Sequence, residues 1–231
     1  MNFHKLRLMA FDQLKLQSYY RSRAAQYDEI YLKVERQSDL SKIRDWLPPK
    51  FYEAHVLEIA CGTGYWTQYI APRASSLFAI DTAAETLSIA KGRLDIQSVI
   101  FQIGDAYDLP KMPENLNAAF AGFWFSHVPK SRIRKFLKGL SYRLKPDSRV
   151  VFLDNLYVEG SSSRITDEDS EGNTYQTRQL ANGSSHKVLK NFPTELEMHD
   201  AIKGIGHTAH WTCWDYYWAF EFRTNEFVCN I

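Results

Sequence analysis

Cysteine is scarce in this chain, with 3 in 231 residues, at positions 61, 213 and 229. Three widely spaced thiols form neither a metal-ligand pattern nor a disulfide framework, so a reducing, cytoplasmic setting is expected. No apolar run reaches the roughly 18 residues a membrane span needs, and no membrane partner is expected. Lys5, Arg7, Asp12 and Lys15 interrupt any secretory apolar segment near the start. A surplus of charge of one sign is also missing: the formal net charge is +1. Broad binding to a nucleic-acid backbone requires a concentrated basic surface, so no nucleic-acid partner is expected. Lys135, Lys138, Arg143 and Lys145, with Arg132 and Arg134 before them, cluster at the spacing of a solvated helix face. There are no repeats and no low-complexity linker.

What is abundant is aromatic, 14% of residues including 6 Trp and 13 Tyr. Most of this is expected to fill a bulky core, and a few rings to wall a pocket for a flat or cationic ligand. The length suits one substantial domain over 1–231.

Periodicity divides that domain into three parts. Residues 3–44 read as helical with a break near 37–39, ended by Pro48-Pro49. Strands and helices then alternate: strands at 55–60, 77–80, 99–103, 117–123 and 149–153, helices at 65–71, 83–93 and 130–144. Such alternation implies a parallel sheet covered on both faces. The remainder differs. Two extended runs, 175–180 and 186–190, flank Asn182-Gly183 and read as a hairpin. A helix is expected over 195–203 and two closing strands over 207–214 and 216–223. The Ser-, Gly- and acid-rich segment 159–173 is expected to be mobile.

The chemistry lies at the first strand. Val56-Leu57-Glu58-Ile59-Ala60-Cys61-Gly62-Thr63-Gly64 carries a strand straight into a glycine turn and a helix. Glycine lets a ligand approach the backbone, and a helix start offers free N–H groups. A dinucleotide site calls for a third glycine, and here Trp66-Thr67 stands in its place. A nicotinamide-dependent oxidoreductase is therefore disfavoured. S-adenosyl-L-methionine carries no phosphate and needs an acid for its ribose instead. Asp81 ends the second strand at the spacing of a ribose-binding acid. Asp105 follows the third strand, where its carboxylate can accept from the exocyclic amine of adenine.

These residues resemble a known family. Leu57 to Gly64 looks like the first motif of class I S-adenosylmethionine-dependent methyltransferases, and Phe78-Ala79-Ile80-Asp81 is similar to their acidic second motif. Gly104-Asp105-Ala106 resembles their adenine motif. Leu144-Lys145-Pro146-Asp147-Ser148-Arg149 resembles the segment leading into their fifth strand, with Asp147-Ser148 replacing the usual Gly-Gly. Leu116-Asn117 replaces the Phe-Asp that commonly opens strand four. Tyr19 to Asp28 and Gly122 to Pro129 resemble the lid and strand-four exit of small-molecule methyltransferases.

The resemblance implies a Rossmann-like α/β/α sandwich of seven strands, the last antiparallel. It also implies an N-terminal helical lid over 1–47, a cofactor-binding core over 50–155, and a substrate-side part over 156–231 with a hairpin inserted after strand five. The expected cofactor-binding residues are Tyr20, Arg23, Tyr27, Glu58, Ala60, Gly62, Gly64, Asp81, Thr82, Asp105, Ala106 and Phe123. Glu58 is expected to support the loop, and Tyr20, Arg23 and Tyr27 to reach the methionine carboxylate. His127 is the candidate general base, acting if its pKa stays near neutrality. The alternative is a histidine that caps the next helix. Trp124, Tyr157 and Arg178 are candidates for the acceptor pocket, with Lys187 and Trp214 beside them. Arg178 and Lys187 would suit an acidic acceptor. The expected activity is methyl transfer to a small-molecule O or N acceptor. An RNA or protein acceptor on the same fold is the alternative.

Overall fold

Alternate residues of the central strands enter two different cores. Val56, Ala79, Phe120 and Val151 pack into one, while their neighbours Leu57, Phe78, Ala119 and Phe152 pack into the other. Side chains alternate across a strand, so a sheet with helices on both faces must be apolar at nearly every position. This explains the unbroken apolar runs.

The computed structural model describes residues 24–93, 99–179 and 183–226. The sheet contains β1 (His55–Ile59), β2 (Ser76–Asp81), β3 (Val99–Ile103), β4 (Ala118–Gly122) and β5 (Arg149–Asn155), all parallel. The closing strands are β9 (Gly206–Cys213) and β10 (Tyr217–Thr224). The strand order is β3-β2-β1-β4-β5-β10-β9, with β10 antiparallel to both neighbours. This is the seven-stranded Rossmann-like sandwich expected from the sequence. The helices are α1 (Gln37–Trp46), α2 (Thr67–Ile70), α3 (Ala84–Arg93), α4 (Ile133–Ser141) and α5 (Glu195–Ala201). Leu40 and Ile43 of α1 and Leu87 of α3 enter the first core, and Phe136 and Leu137 of α4 and Met198 of α5 the second. A capping box starts α5, with Thr194 Oγ1 accepting from Glu197 N and Glu197 Oε2 accepting from Thr194 N.

Three local expectations change. The break in the N-terminal helical region falls at Leu32 and Lys33, between 3-10 helices Ala24–Tyr31 and Val34–Arg36, and α1 runs through 37–39. The inserted hairpin is a three-stranded sheet, β6 (Ile165–Glu168), β7 (Thr174–Gln179) and β8 (Ser185–Leu189). Its first strand lies inside the segment expected to be mobile. There Asp169 Oδ1 accepts from Glu171 N and Asn173 N, both at 2.9 Å, and Tyr175 OH donates to Asp169 Oδ2. The acid that makes 159–173 look like open loop thus closes it into a turn.

The order reverses between β1 and β4, which opens a crevice at the carboxyl ends of the strands. The inserted sheet is fastened beside it by a buried ion pair. Lys190, just after β8, donates to Asp154 Oδ1 of β5 and to Ser126 Oγ, each at 2.6 Å.

Candidate functional site

The crevice begins where β1 ends. Ala60 takes a left-handed backbone conformation, φ 53°, and Gly62 and Gly64 follow at 57° and 76°. Phe123, at the end of β4, has the same handedness at 57°. Such strain in non-glycine residues persists only where the surroundings impose it, and it clusters at ligand sites. Asp81, at the end of β2, accepts from Gly62 N through Oδ2 at 2.9 Å and from Ala83 N through Oδ1 at 2.9 Å. It therefore fixes the glycine loop, and a carboxylate oxygen with one donor has room for another. Burial pushes the Asp81 carboxyl above its ordinary range. Asp105 Oδ1 accepts from Tyr107 N at 2.8 Å.

Two cavities open from this crevice. A narrow cleft is lined by Tyr27, Ala60, Gly62, Asp81, Thr82, Asp105, Ala106, Phe123 and Trp124, among others, and by no lysine or arginine. This brings together most of the predicted cofactor residues. Its acids suit a ribose diol and an exocyclic amine, its aromatic and small side chains suit a flat base, and its lack of cations suits a sulfonium. As it stands the cleft holds about 100 Å³, below the roughly 300–1,000 Å³ usual for small-molecule sites. Tyr27, Tyr107 and Trp124 are the bulky side chains along its wall.

Two predicted cofactor residues stand behind the cleft. Gly64 packs against α3, where a Cβ would lie 3.0 Å from Ala90 Cβ. Glu58 is fully buried, and its Oε2 has no hydrogen-bond partner. Burial, with a contribution from Asp81, pushes its carboxyl up to about 8. Tyr20 and Arg23 lie outside the described residues.

The second cavity is larger, about 590 Å³, and shares Tyr27, Phe123 and His127 with the first. Arg178 lines it, and so do Lys33, Arg36 and Lys190, which the sequence reading did not single out. Trp124 lines the cofactor cleft instead. Tyr157 lines neither cavity; it is 42% exposed and meets Phe192 edge-on. Lys187 pairs with Asp167 on the inserted sheet, and Trp214 packs against Trp46.

His127 is buried at the junction, and its Nδ1 lies 2.5 Å from Leu189 O. A carbonyl only accepts, so Nδ1 carries the proton and Nε2 the lone pair. Burial, then the Lys190 and Arg178 cations, hold the imidazole well below its ordinary pKa. The near-neutral histidine expected from the sequence is thus a neutral ring that takes up a proton reluctantly.

Asp28, which ends the lid-like segment, was given no role of its own from the sequence. It accepts from Thr63 Oγ1 at 2.6 Å and pairs with Arg93, whose Nε donates to Thr63 O. These contacts dock the N-terminal 3-10 helix on the glycine loop. The lid-like segment that ends at Asp28 and Thr63 between the two glycines were the available signals.

Comparisons with known proteins agree with this geometry. A family model described as a methyltransferase domain matches residues 56–147. The solved DhpI–SAH complex superposes with a TM-score of 0.75 at 25% identity, over 91% of this chain and 96% of that one. Mitochondrial methyltransferase OMS1 of Saccharomyces cerevisiae is 26% identical over 182 residues, 67% of this chain and 38% of that protein. Demethylmenaquinone methyltransferase of Lactiplantibacillus plantarum is 29% identical over 108 residues, 44% of this chain and 45% of that protein. The chain thus spans less than half of either curated relative. The matched domain, the relatives and the superposed structure together support a class I S-adenosylmethionine-dependent methyltransferase that takes S-adenosylmethionine as its cofactor. No helix among the described residues is long and apolar enough to cross a membrane.

Proposed function

We propose that this chain transfers a methyl group from S-adenosylmethionine to an oxygen or nitrogen atom of a small molecule. The observation that carries this reading is the pair of cavities meeting at Tyr27, Phe123 and His127. One has the walls and acids of a nucleoside site. The other has a volume suited to a metabolite. S-adenosylmethionine supplies a methyl group already activated on a sulfonium. The protein's task is then to align two partners and exclude water, which is worth about 7–11 kcal/mol when alignment is good.

Asp81, Asp105 and the backbone at Gly62 would hold the nucleoside, and Tyr27 and Phe123 would close the junction. His127 would position the acceptor. Leu189 O fixes its tautomer, and its ring borders both cavities, which puts it beside the path of the methyl group. Its depressed pKa disfavours full proton removal unless a bound anion offsets the neighbouring cations.

The experiment is to incubate the protein with methyl-labelled S-adenosylmethionine and separate fractions of small metabolites, RNA and protein, tracking the label by mass. Label is expected in a metabolite. Label appearing in RNA or protein alone would overturn the small-molecule reading.

A further inference from the structure

The larger cavity carries more positive charge than the fold requires. Lys33, Arg36, Arg178 and Lys190 line it, against one acid, Glu29. Lys190 is answered by Asp154 behind the wall, at 2.6 Å. Arg36 is not answered in this way. It is only 6% exposed, yet its Nε donates to Ser161 Oγ at 3.0 Å and its Nη1 to Asn155 Oδ1 at 2.7 Å, both neutral groups. Among the described residues no ion pair includes it. The rings of Tyr216 and Tyr217 stand 5.3 and 5.5 Å from its Cζ. Hydrogen bonds to neutral acceptors and ring faces offset only part of the cost of burying a guanidinium.

The cations also sense one another. Burial and then Arg36 hold the Lys33 ammonium below its ordinary pKa. Burial lowers Lys190 too, with Arg178 and Arg36 contributing against the pull of Asp154. Like charges gathered around one cavity raise the energy of the protein and lower that of any anion placed among them. Arginine forks match carboxylate and phosphoryl oxygens in particular.

We propose that the methyl acceptor is a small oxyanion, carrying a carboxylate or a phosphoryl-type group that Arg36 and Arg178 hold in the larger cavity with Lys33 at its mouth. This rests on the methyltransferase reading above and names the class of its acceptor. The cofactor cleft, free of lysine and arginine, suits a sulfonium, and the acceptor cavity offers cations to its partner, so the two ligands attract each other as well as the protein. Arg36 also ties the serine-containing loop after β5 to the segment just before α1.

Calorimetry on protein loaded with S-adenosylhomocysteine tests this, with inorganic phosphate, methylphosphonate and acetate as probes. At least one is expected to bind at millimolar concentration or tighter. Arg178→Gln and Arg36→Gln should each weaken that binding at least tenfold, and Arg36→Lys should restore part of it. Lys187→Gln, outside the cavity, should change it less than twofold. Tighter phosphate or methylphosphonate binding assigns a phosphoryl-type acceptor, and tighter acetate binding a carboxylate. Failure of all three probes, or equal binding to the wild type and Arg178→Gln, overturns the proposal. Should Arg36→Gln fail to fold, Arg178→Gln decides, since Arg178 is only partly buried. Binding of S-adenosylhomocysteine is measured first. Its failure would sink the cofactor assignment itself, whereas loss of oxyanion binding alone removes only the acceptor class.

Discussion

The two cavities are built on opposite principles. The cofactor cleft is made from backbone at the ends of adjacent parallel strands, and its charged wall groups are Asp81 and Asp105. The acceptor cavity is made from side chains of distant segments, and its charge is cationic, from Lys33, Arg36, Arg178 and Lys190. The groups at the junction, Tyr27, Phe123 and His127, are neutral. With the proposed ligands in place, each half would select a ligand of opposite sign and repel the other's, so specificity would come from exclusion as well as attraction. The halves also differ in what keeps them standing. The cleft relies on backbone geometry, while the acceptor cavity hangs on the buried contact between Lys190 and Asp154.

Removing that contact should break the comparison most visibly. Lys190→Met leaves Asp154 buried without its cation, which costs about 3–5 kcal/mol. Denaturant unfolding is expected to show this loss, and adding Asp154→Leu should recover most of it. By contrast Lys187→Met removes an exposed pair with Asp167 and should cost less than about 1 kcal/mol. Equal effects at the two lysines would mean that the inserted sheet is held mainly by something other than the buried pair.

On the cofactor side, Asp81→Asn should weaken S-adenosylhomocysteine binding by about 1.5–3 kcal/mol, roughly 10- to 150-fold, since hydrogen bonds to a charged group are lost. Phosphate or acetate affinity, measured on protein saturated with S-adenosylhomocysteine, should barely move. A parallel fall in both would show that the halves are coupled through the glycine loop rather than independent.

The buried titratable groups of the two regions should give opposite pH slopes. Glu58 has its folded pKa raised from 4.5 to about 8. Its native state therefore holds a proton that the unfolded chain has released. That stability is complete below 4.5 and is lost as pH rises through about 8. His127 is lowered from 6.5, so its contribution is complete above 6.5 and is lost as pH falls toward the folded value. Between 6.5 and 8 the slope belongs to Glu58. Glu58→Gln should flatten the fall there by up to about 1.4 kcal/mol per pH unit, on the order of 2 kcal/mol across the window. His127→Gln should instead flatten the rise on its acid side. Unfolding curves at half-unit pH steps check both, and unchanged slopes would mean neither group keeps its buried protonation state.

The same contrast explains what could be read in advance. The parallel strands and the anchors Gly62, Asp81 and Asp105 are legible because β1, β2 and β3 each place their key residue at or just past a strand end. There local sequence dictates position. Arg36, Asp154 and Lys190 were not legible as a group. They are 118 and 36 residues apart along the chain, and each alone looks like a surface charge. Only long-range packing buries them, Arg36 against Asn155, Ser161 and Tyr217, and Lys190 against Asp154. β6 escaped for a related reason: its residues are all exposed, so no alternation marks it, and Asp169 makes its turn through side-chain bonds that composition does not show. Tyr157 looked like a pocket wall because it follows β5, yet the chain turns there and carries the ring away from both cavities.

Substitutions at the two glycines separate the wall of the cleft from its foundation, and Gly62 gives the smaller effect. Both need positive φ, which costs an alanine about 1–2 kcal/mol. At Gly64 an added methyl would also press on Ala90 of α3 at 3.0 Å from its Cβ and 3.2 Å from its Cα, the second of these being backbone. Gly64→Ala should therefore lower stability by about 2 kcal/mol or more and weaken the cofactor only as far as the loop shifts. At Gly62 the nearest neighbour is Tyr27 Cε1 at 3.7 Å, an ordinary contact. Gly62→Ala should then cost only the backbone term, about 1 kcal/mol in thermal or denaturant unfolding. Its methyl stands beside Tyr27, however, the residue that borders both cavities. The expected signature is a near-native melting curve with a changed on-rate for S-adenosylhomocysteine by stopped flow. If the on-rate is unchanged and only stability falls, Tyr27 is part of a fixed wall and the narrow cleft opens elsewhere, through Tyr107 and Trp124.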